Sequence, residues 1–357
     1  MKGAPGEDPM EAYRKGIILK WVFLAVCGVL LLVLITAALS IGSSDLSMMD
    51  SFRALLGMGE KETLTIVWRI RLPRVITAII AGAGLAAAGA AMQTVLRNPI
   101  GSPVTLGISQ AAAFGAAFAV VILGAGSVGS GTVDAVINEN IYLVSVCAFI
   151  ATMGSTSIIV LLARFKRASP ESMILAGVAM GSLATAGTTA MEYFADDVEL
   201  SSIIFWTFGD MGRTGWDEVF IMFGVVALAM VYFIFSGWSY NALDAGDDTA
   251  RSLGINTERL RLLGLGAASL VTAVIISFVG IIGFVGLVIP HIVRKIIGTD
   301  QRFLIPTSAI AGAVLLLLSD TVARTVISPV VLPVGILTSF LGAPLFLYLV
   351  IRGKEHW

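Results

Sequence analysis

The chain predicts an all-α polytopic membrane protein with ten spans, on three observations. Hydrophobic residues make up 57% of its 357 residues and charged ones only 13%, whereas soluble domains hold roughly half and a quarter. The apolar residues gather into stretches of about 20, the length one helix needs to cross a bilayer. The 38 glycines fall largely inside those stretches, as expected where helix backbones pack closely in lipid.

The stretches follow in order. Residues 17–42 run longer than a signal-peptide core and carry no small-x-small cleavage site, so they read as a retained span behind a polar tail, residues 1–16. Spans near 64–95, 104–126, 141–163, 172–195, 218–238, 260–282, 303–323 and 334–352 continue the series, and residues 353–357 close it as a second tail. Residues 17–352 thus form one membrane domain. Cys27 and Cys147 lie inside spans, where a small hydrophobe fits and no disulfide framework is implied. Gly177 and Gly181 have helix-packing spacing and receive a packing role.

A tenth piece, 286–297, is short, and charge decides whether it crosses. If it does, both termini share one side with Arg164, Lys166, Arg167, the polar stretch Leu243 to Arg261, Arg294, Lys295 and Arg302. That side then holds 16 basic against 10 acidic residues, and the other side 7 against 14. The positive-inside rule makes the first side the cytoplasm of a cell membrane. Arg69, Arg71, Arg74 and Arg324 fall on the outer side against this bias. Two readings stand level on the pattern alone. One is interfacial anchoring, with Trp68 in the headgroup belt and Arg324 paired to Asp320 four residues earlier. The other is a basic surface that receives an acidic soluble partner.

The stretch from Leu243 to Arg261 (LDAGDDTARSLGINTERLR) reads as a short capped helix on the inner face. Asp247 and Asp248 sit where a first turn favours negative charge, Arg251 pairs back to them, and Gly254 supplies a left-handed stop. An ordered polar helix on a membrane face suggests a handle for a partner that moves the protein. The chain has no GxxxxGK[ST] phosphate loop, so it does not hydrolyse ATP itself. With two histidines and no CxxC, HExxH or Asp-rich loop, no catalytic residue, metal or cofactor is expected. His291, after Pro290, reads as a polar cap for backbone freed by the proline.

Six segments in order carry a resemblance. They are Arg71-Leu72-Pro73-Arg74, GAAMQTVLRNPIGSPVTLGIS from Gly89, Leu175 to Ala179 (LAGVA), DDTARSLG from Asp247, GFVGLVIPH from Gly283, and LPVGILTSFLGAP from Leu332. Together they resemble the permease subunit of ATP-binding-cassette (ABC) importers for ferric siderophores, haem and cobalamin. The resemblance covers nearly everything after residue 64.

It implies a homodimer around a central pathway, two ATPase subunits inside, one substrate-binding protein outside, a metal-chelate cargo and no nucleic acid. It makes Asp247, Asp248, Arg251 and Gly254 the ATPase-coupling residues, with aspartates where the family commonly has glutamates. It makes Arg71, Arg74 and Arg324 the binding-protein contacts. It places a cytoplasmic gate at Ser169, Pro170 and Glu171, ahead of Ser172, where cobalamin members carry small hydroxyl residues. The fifth and tenth spans are then expected to open alternately, lined by Ala176, Gly177, Ala179, Gly181 and the segment from Val334 to Ala343, with selectivity left mainly to the external protein.

The rival readings are an ion-coupled carrier using Glu192 or Asp320, and the same architecture importing an oxyanion such as molybdate. An intramembrane enzyme is a distant third, because the motifs assemble no nucleophile-base pair.

Overall fold

The computed structural model describes residues 9–41, 47–125, 140–165, 169–328 and 330–352, and every regular element among them is helical. The order is α1 (Pro9–Ser40), α2 (Met48–Leu55), α3 (Lys61–Thr65), a π-helical turn (Ile66–Arg71), α4 (Leu72–Val95), α5 (Ile108–Val121), α6 (Ile141–Phe165) and α7 (Pro170–Phe194). It continues with α8 (Asp197–Thr207), a 3₁₀ turn (Met211–Arg213), α9 (Trp216–Phe235), α10 (Gly237–Asp244), α11 (Asp247–Ser252), α12 (Thr257–Val279), α13 (Val285–Ile297), α14 (Gln301–Thr325) and α15 (Val334–Arg352).

Each of the ten stretches read from the sequence is occupied by a helix, and seven of these are long and apolar enough to cross a membrane. α5 and the Val334–Tyr348 part of α15 are shorter, and α13 has 13 residues. The first helix starts at Pro9, inside the segment read as a tail to residue 16. Residues 1–8 and 353–357 lie outside the described residues, as do Lys166 and Arg167.

Span counting missed α2, α3, α8 and α10 because short helices leave no 20-residue apolar signal. α8 did announce itself locally. Asp196 accepts from Val198 N and Glu199 N at 2.9 and 2.8 Å while Glu199 Oε2 accepts from Asp196 N at 3.1 Å, a capping box written in the sequence as Asp-x-x-Glu.

α4 is the centre of the molecule. Its span is 83% buried, against 17% for α1, and α9, α12, α13 and α14 pack around it. What lets four helices crowd one is the absence of side chains at the crossings. A Cβ on Gly82 would overlap the Gly312 carbonyl of α14, and a Cβ on Gly89 would overlap the backbone of Gly286 in α13. These are backbone-to-backbone contacts, which small residues permit and which maximise dispersion between helices that lipid itself does not drive together. Around them lies a continuous core that includes Leu85, Met92, Met222, Phe233, Leu265 and Leu316.

Two ends emerge. At one lie the C-terminus of α4, the N-terminus of α7, α10, α11 and the start of α14, where Gln301 of α14 ties α4 to α10 by donating from its amide to Thr94 Oγ1 at 2.7 Å and to Asp244 Oδ2 at 2.8 Å. At the opposite end lie the C-terminus of α1, the π-helical turn and the start of α9, where the Trp216 indole donates to the Trp68 carbonyl at 2.9 Å.

Gly89→Ala or Gly82→Ala should therefore part α4 from its neighbours, at a cost of about 1–3 kcal/mol or more. Gly154→Ala and Gly224→Ala, where an added Cβ meets nothing within 4 Å, should be neutral or mildly stabilising. Melting of the detergent-solubilised protein compares the pairs, and equal behaviour refutes the packing role.

Candidate functional site

The polar stretch between α9 and α12 is two helical pieces rather than one. α10 ends at Asp244, and α11 holds only Asp247 to Ser252. Gly246, at φ +121°, makes the break, and Gly254, at φ +81°, makes the stop. Gly254 N donates to Arg251 O at 2.9 Å and Ile255 N to Ala250 O at 3.0 Å, the paired bonds that close a helix through a left-handed glycine. The predicted cap is thus present at the predicted residue.

The predicted ion pairs of α11 are not. Arg251 Nε faces Thr257 Oγ1 at 3.4 Å instead of the aspartates. Asp247 turns back into the protein, where Arg261 Nη1 and Nη2 donate to its two oxygens at 2.8 and 2.6 Å. Arg261, buried at 3% exposure, also donates from Nε to Val95 O at the end of α4. The i+4 spacing was available, but a second-turn arginine on a six-residue helix lies at the surface, while Arg261 offers a planar, desolvated fork matched to a carboxylate.

One guanidinium therefore joins α4, α11 and α12, a role the sequence reading did not assign. Arg97, held at φ +46°, adds a longer 3.5 Å contact to Asp247. Asp247 is held below the usual carboxylate range by the Arg261 hydrogen bonds first, against its burial, and then by the positive charges of Arg261, Arg97 and Arg251.

Asp248 and Leu253 are exposed on the outer side of α11, Leu253 at 67%. The predicted gate lies beside this helix. Ser169 caps α7 by accepting from Ser172 N at 3.3 Å, and Pro170 occupies the first turn, where its missing N–H is not needed. Ser169, Pro170, Glu171, Asp247 and Arg251 line one polar hollow of about 540 Å³, so two sets of residues read separately from the sequence meet in space.

At the other end, the three arginines expected on a docking surface point inward. Arg71 donates to Leu39 O and Ser40 O at 2.6 and 2.9 Å, and Arg324 to Ile41 O and Ala38 O at 3.1 and 3.2 Å. Between them they donate to the four carbonyls from Ala38 to Ile41 at the C-terminal end of α1, where the helix dipole favours cations. Arg74 Nε reaches both oxygens of fully buried Asp320 at 2.9 and 3.2 Å, its Nη2 lies 3.3 Å from Asp210, and Arg324 Nε lies 3.1 Å from Asp320 Oδ2.

The pairing of Arg324 with Asp320 matches the sequence reading. The free basic surface does not, because these guanidiniums already have acceptors inside the fold. Arg53, Lys61 and Arg69 are the exposed cations nearby. Asp320, clamped by two arginines, is also no free carboxylate for an ion-coupled carrier.

Between the two ends, α7 packs on α5 and α6 and leaves another face open. Ser182, Thr185, Ala186 and Thr189, all exposed, share that face at helical spacing. α7 also exposes Leu175, Val178 and Leu183, and bulky apolar residues are exposed on α6 and α9 too, among them Ile150, Phe220, Phe223 and Leu228. Gly177 and Gly181 do not stand free in this face; they seat the loop before α5, where a Cβ on Gly107 would come within 2.6 Å of Gly181 Cα. An apolar groove of about 690 Å³ runs between α15 and the start of α13, lined by Phe284, Gly335, Ile336, Ser339 and Phe340.

Comparison with known proteins matches residues 30–352 to the FecCD transport family. A Methanocaldococcus jannaschii chain described as an ABC transporter permease protein is 53% identical over 315 residues, covering 88% of this chain and 90% of that one. The hemin transport system permease protein HmuU of Yersinia pestis is 36% identical over 333 residues, covering 92% and 96%. Among solved structures, an inward-facing metal-chelate type ABC transporter superposes with a TM-score of 0.79 at 28% identity, covering 93% of this chain and 99% of that one.

Two outcomes test the geometry. Asp320→Asn leaves buried Arg324 without a counter-ion and Arg74 with only Asp210, and should destabilise the protein by about 3–5 kcal/mol, read as a lowered midpoint in detergent; an unchanged midpoint rejects the cluster as a staple. Asp247→Asn should loosen α11 by about 1.5–3 kcal/mol, seen as faster amide exchange from Asp247 to Gly254. Because the folded-state value of Asp247 is depressed, its stabilisation is complete above the unfolded carboxylate value of about 3.9 and is lost only as pH falls through the lower folded value. Exchange at α11 should thus be insensitive to carboxylate titration between about pH 5 and 8, and loosening across that interval counts against the latch.

Proposed function

The chain belongs to the FecCD transport family, and from that premise we propose how it works as the membrane-spanning permease subunit of an ABC importer for a metal chelate. Two copies enclose a pathway between their α7 and α15 faces. The observation that carries this is the open face of α7. Among the exposed Leu175, Val178 and Leu183 of the same helix, Ser182, Thr185, Ala186 and Thr189 form a strip of small and hydroxyl groups, which a wetted passage accommodates more readily than lipid does.

No bond of the cargo is made or broken. Partner subunits hydrolyse ATP on the cytoplasmic side, where both termini lie, and grip α11 through Asp248, Leu253 and the Gly254 turn. Asp247 and Arg261 make α11 a rigid lever on α4 and α12, and the shared hollow carries its displacement to Ser169, Pro170 and Glu171 at the foot of α7. An extracytoplasmic binding protein seats on the outer corner, over the buried arginine cluster and beside exposed Arg69. The cargo belongs to the class of haem and other ferric chelates. The open, largely apolar groove offers such a flat or bulky ligand area without a ring of fixed charges, which suits release more than tight capture.

Reconstituted in vesicles with its ATPase and binding protein, the permease should accumulate haem or another metal chelate on addition of ATP, and continue after collapse of the ion gradients. Alone it should accumulate nothing. Gradient-driven accumulation by the lone chain overturns the proposal.

A further inference from the structure

The backbone between α12 and α13 is unwound inside the membrane domain. Gly280, at φ +83°, ends α12, and Phe284 starts α13 at φ +67°. Phe284 is one of two described non-glycine residues with positive φ, and a bulky side chain there is strained, a cost that persists only where the surroundings fix it. α15 does the fixing. A Cβ on Gly342 would overlap Phe284 Cβ, so glycine at 342 is what lets α15 lie flush on the ring.

On both sides of Phe284 there is space. In front lies the open groove between α15 and the start of α13. Behind lies a second, more enclosed cavity of about 110 Å³ among α4, the start of α5 and the loop before it, α12 and the start of α13, walled by Leu85, Ser109, Ile276 and Leu287. Phe284, Gly283 and Val104 belong to both walls. The rear cavity is largely apolar, and Ser109 Oγ, buried there, has no hydrogen-bond partner among the described residues. Protein interiors leave few voids of this size, and one of about 150 Å³ accepts benzene.

We propose that Phe284 is the swinging wall of the translocation path: when α15 draws away, its ring turns into the cavity behind it and the groove in front widens. α15 holds the ring forward in the state described, the left-handed backbone stores the bias for its release, and the rear cavity receives it. Phe284 thereby sets the width available to the cargo. The inference rests on the permease reading above, since it needs a passage that α15 opens.

The test fills the receiving space. In the assembled transporter in vesicles, Ser109→Leu should slow ATP-driven haem uptake by about tenfold to hundredfold, the population penalty of overpacking such a site, while assembly, thermal midpoint and basal ATP hydrolysis stay unchanged. Removing the ring should make the filled cavity harmless. Phe284→Ala alone should retain uptake, and the Ser109→Leu, Phe284→Ala double variant should recover to within about threefold of Phe284→Ala, a coupling that independent effects do not produce.

Should Ser109→Leu fail to assemble, Ser109→Val and Ile276→Phe fill the same cavity from two elements. Normal uptake in the filled variants, or slow uptake that Phe284→Ala does not relieve, overturns the swinging wall. Failure of the unaltered assembly to transport with ATP instead removes the permease reading itself, so the two outcomes are distinct.

Discussion

The close approach of α4 to α13 and α14 is the constraint on which the rest of the architecture depends. Gly82 and Gly89 bring backbones together with nothing between them, and every other core helix takes its place around the column that results. In lipid the hydrophobic effect gives helices no reason to leave one another's tail-like surroundings, so contact area and backbone proximity have to supply the association. An α4 with larger residues at these two crossings would hold its partners at ordinary helix-pair distances of about 8–10 Å and separate the two faces of the protein from their common strut.

That strut reaches both membrane faces. At one end Arg74 fastens it to Asp320 of α14, with Arg71 just before it on α1, and at the other Val95 O accepts from Arg261, which also holds the first residue of α11. Force applied at α11, as the proposed mechanism requires, would thus bear directly on the most buried helix of the molecule. In the proposed mechanism movement is left to the periphery. α7 and α15 have open faces, and the unwound backbone at Phe284 lies between α15 and the strut's neighbours. A packed centre flanked by helices with open faces suits the alternating access proposed above, because small displacements are passed on by packed elements that do not deform.

Much was legible beforehand because membrane helices obey a one-dimensional rule. Backbone groups in lipid must be satisfied within the segment, so a run of apolar residues of the right length is a helix, and α13 emerged at residues 285–297 where a short span had been read at 286–297. A local motif with a self-contained mechanism also transferred: the Gly254 stop depends on residues within one or two turns. The arginines did not transfer. Arg71 and Arg324 look like surface charges along the chain, and only the arrival of α1, about 30 and 280 residues away, supplies the carbonyls that bury them.

Composition, span length and the inside-outside charge bias were sufficient to specify a multi-span helical membrane protein and to single out the polar stretch between the sixth and seventh spans, since each is a property of consecutive residues against a fixed solvent; the permease assignment came from the six ordered motifs. Which acceptor each guanidinium meets was settled only by folding. Asp247 had a partner four residues on and took Arg261 instead, because a desolvated, two-toothed pairing across elements outweighs an exposed one along a helix. The strained turn at Phe284 and the cavity behind it belong to the same category: they exist where α4, α5, α12 and α13 leave space, and no single stretch of chain encodes that space.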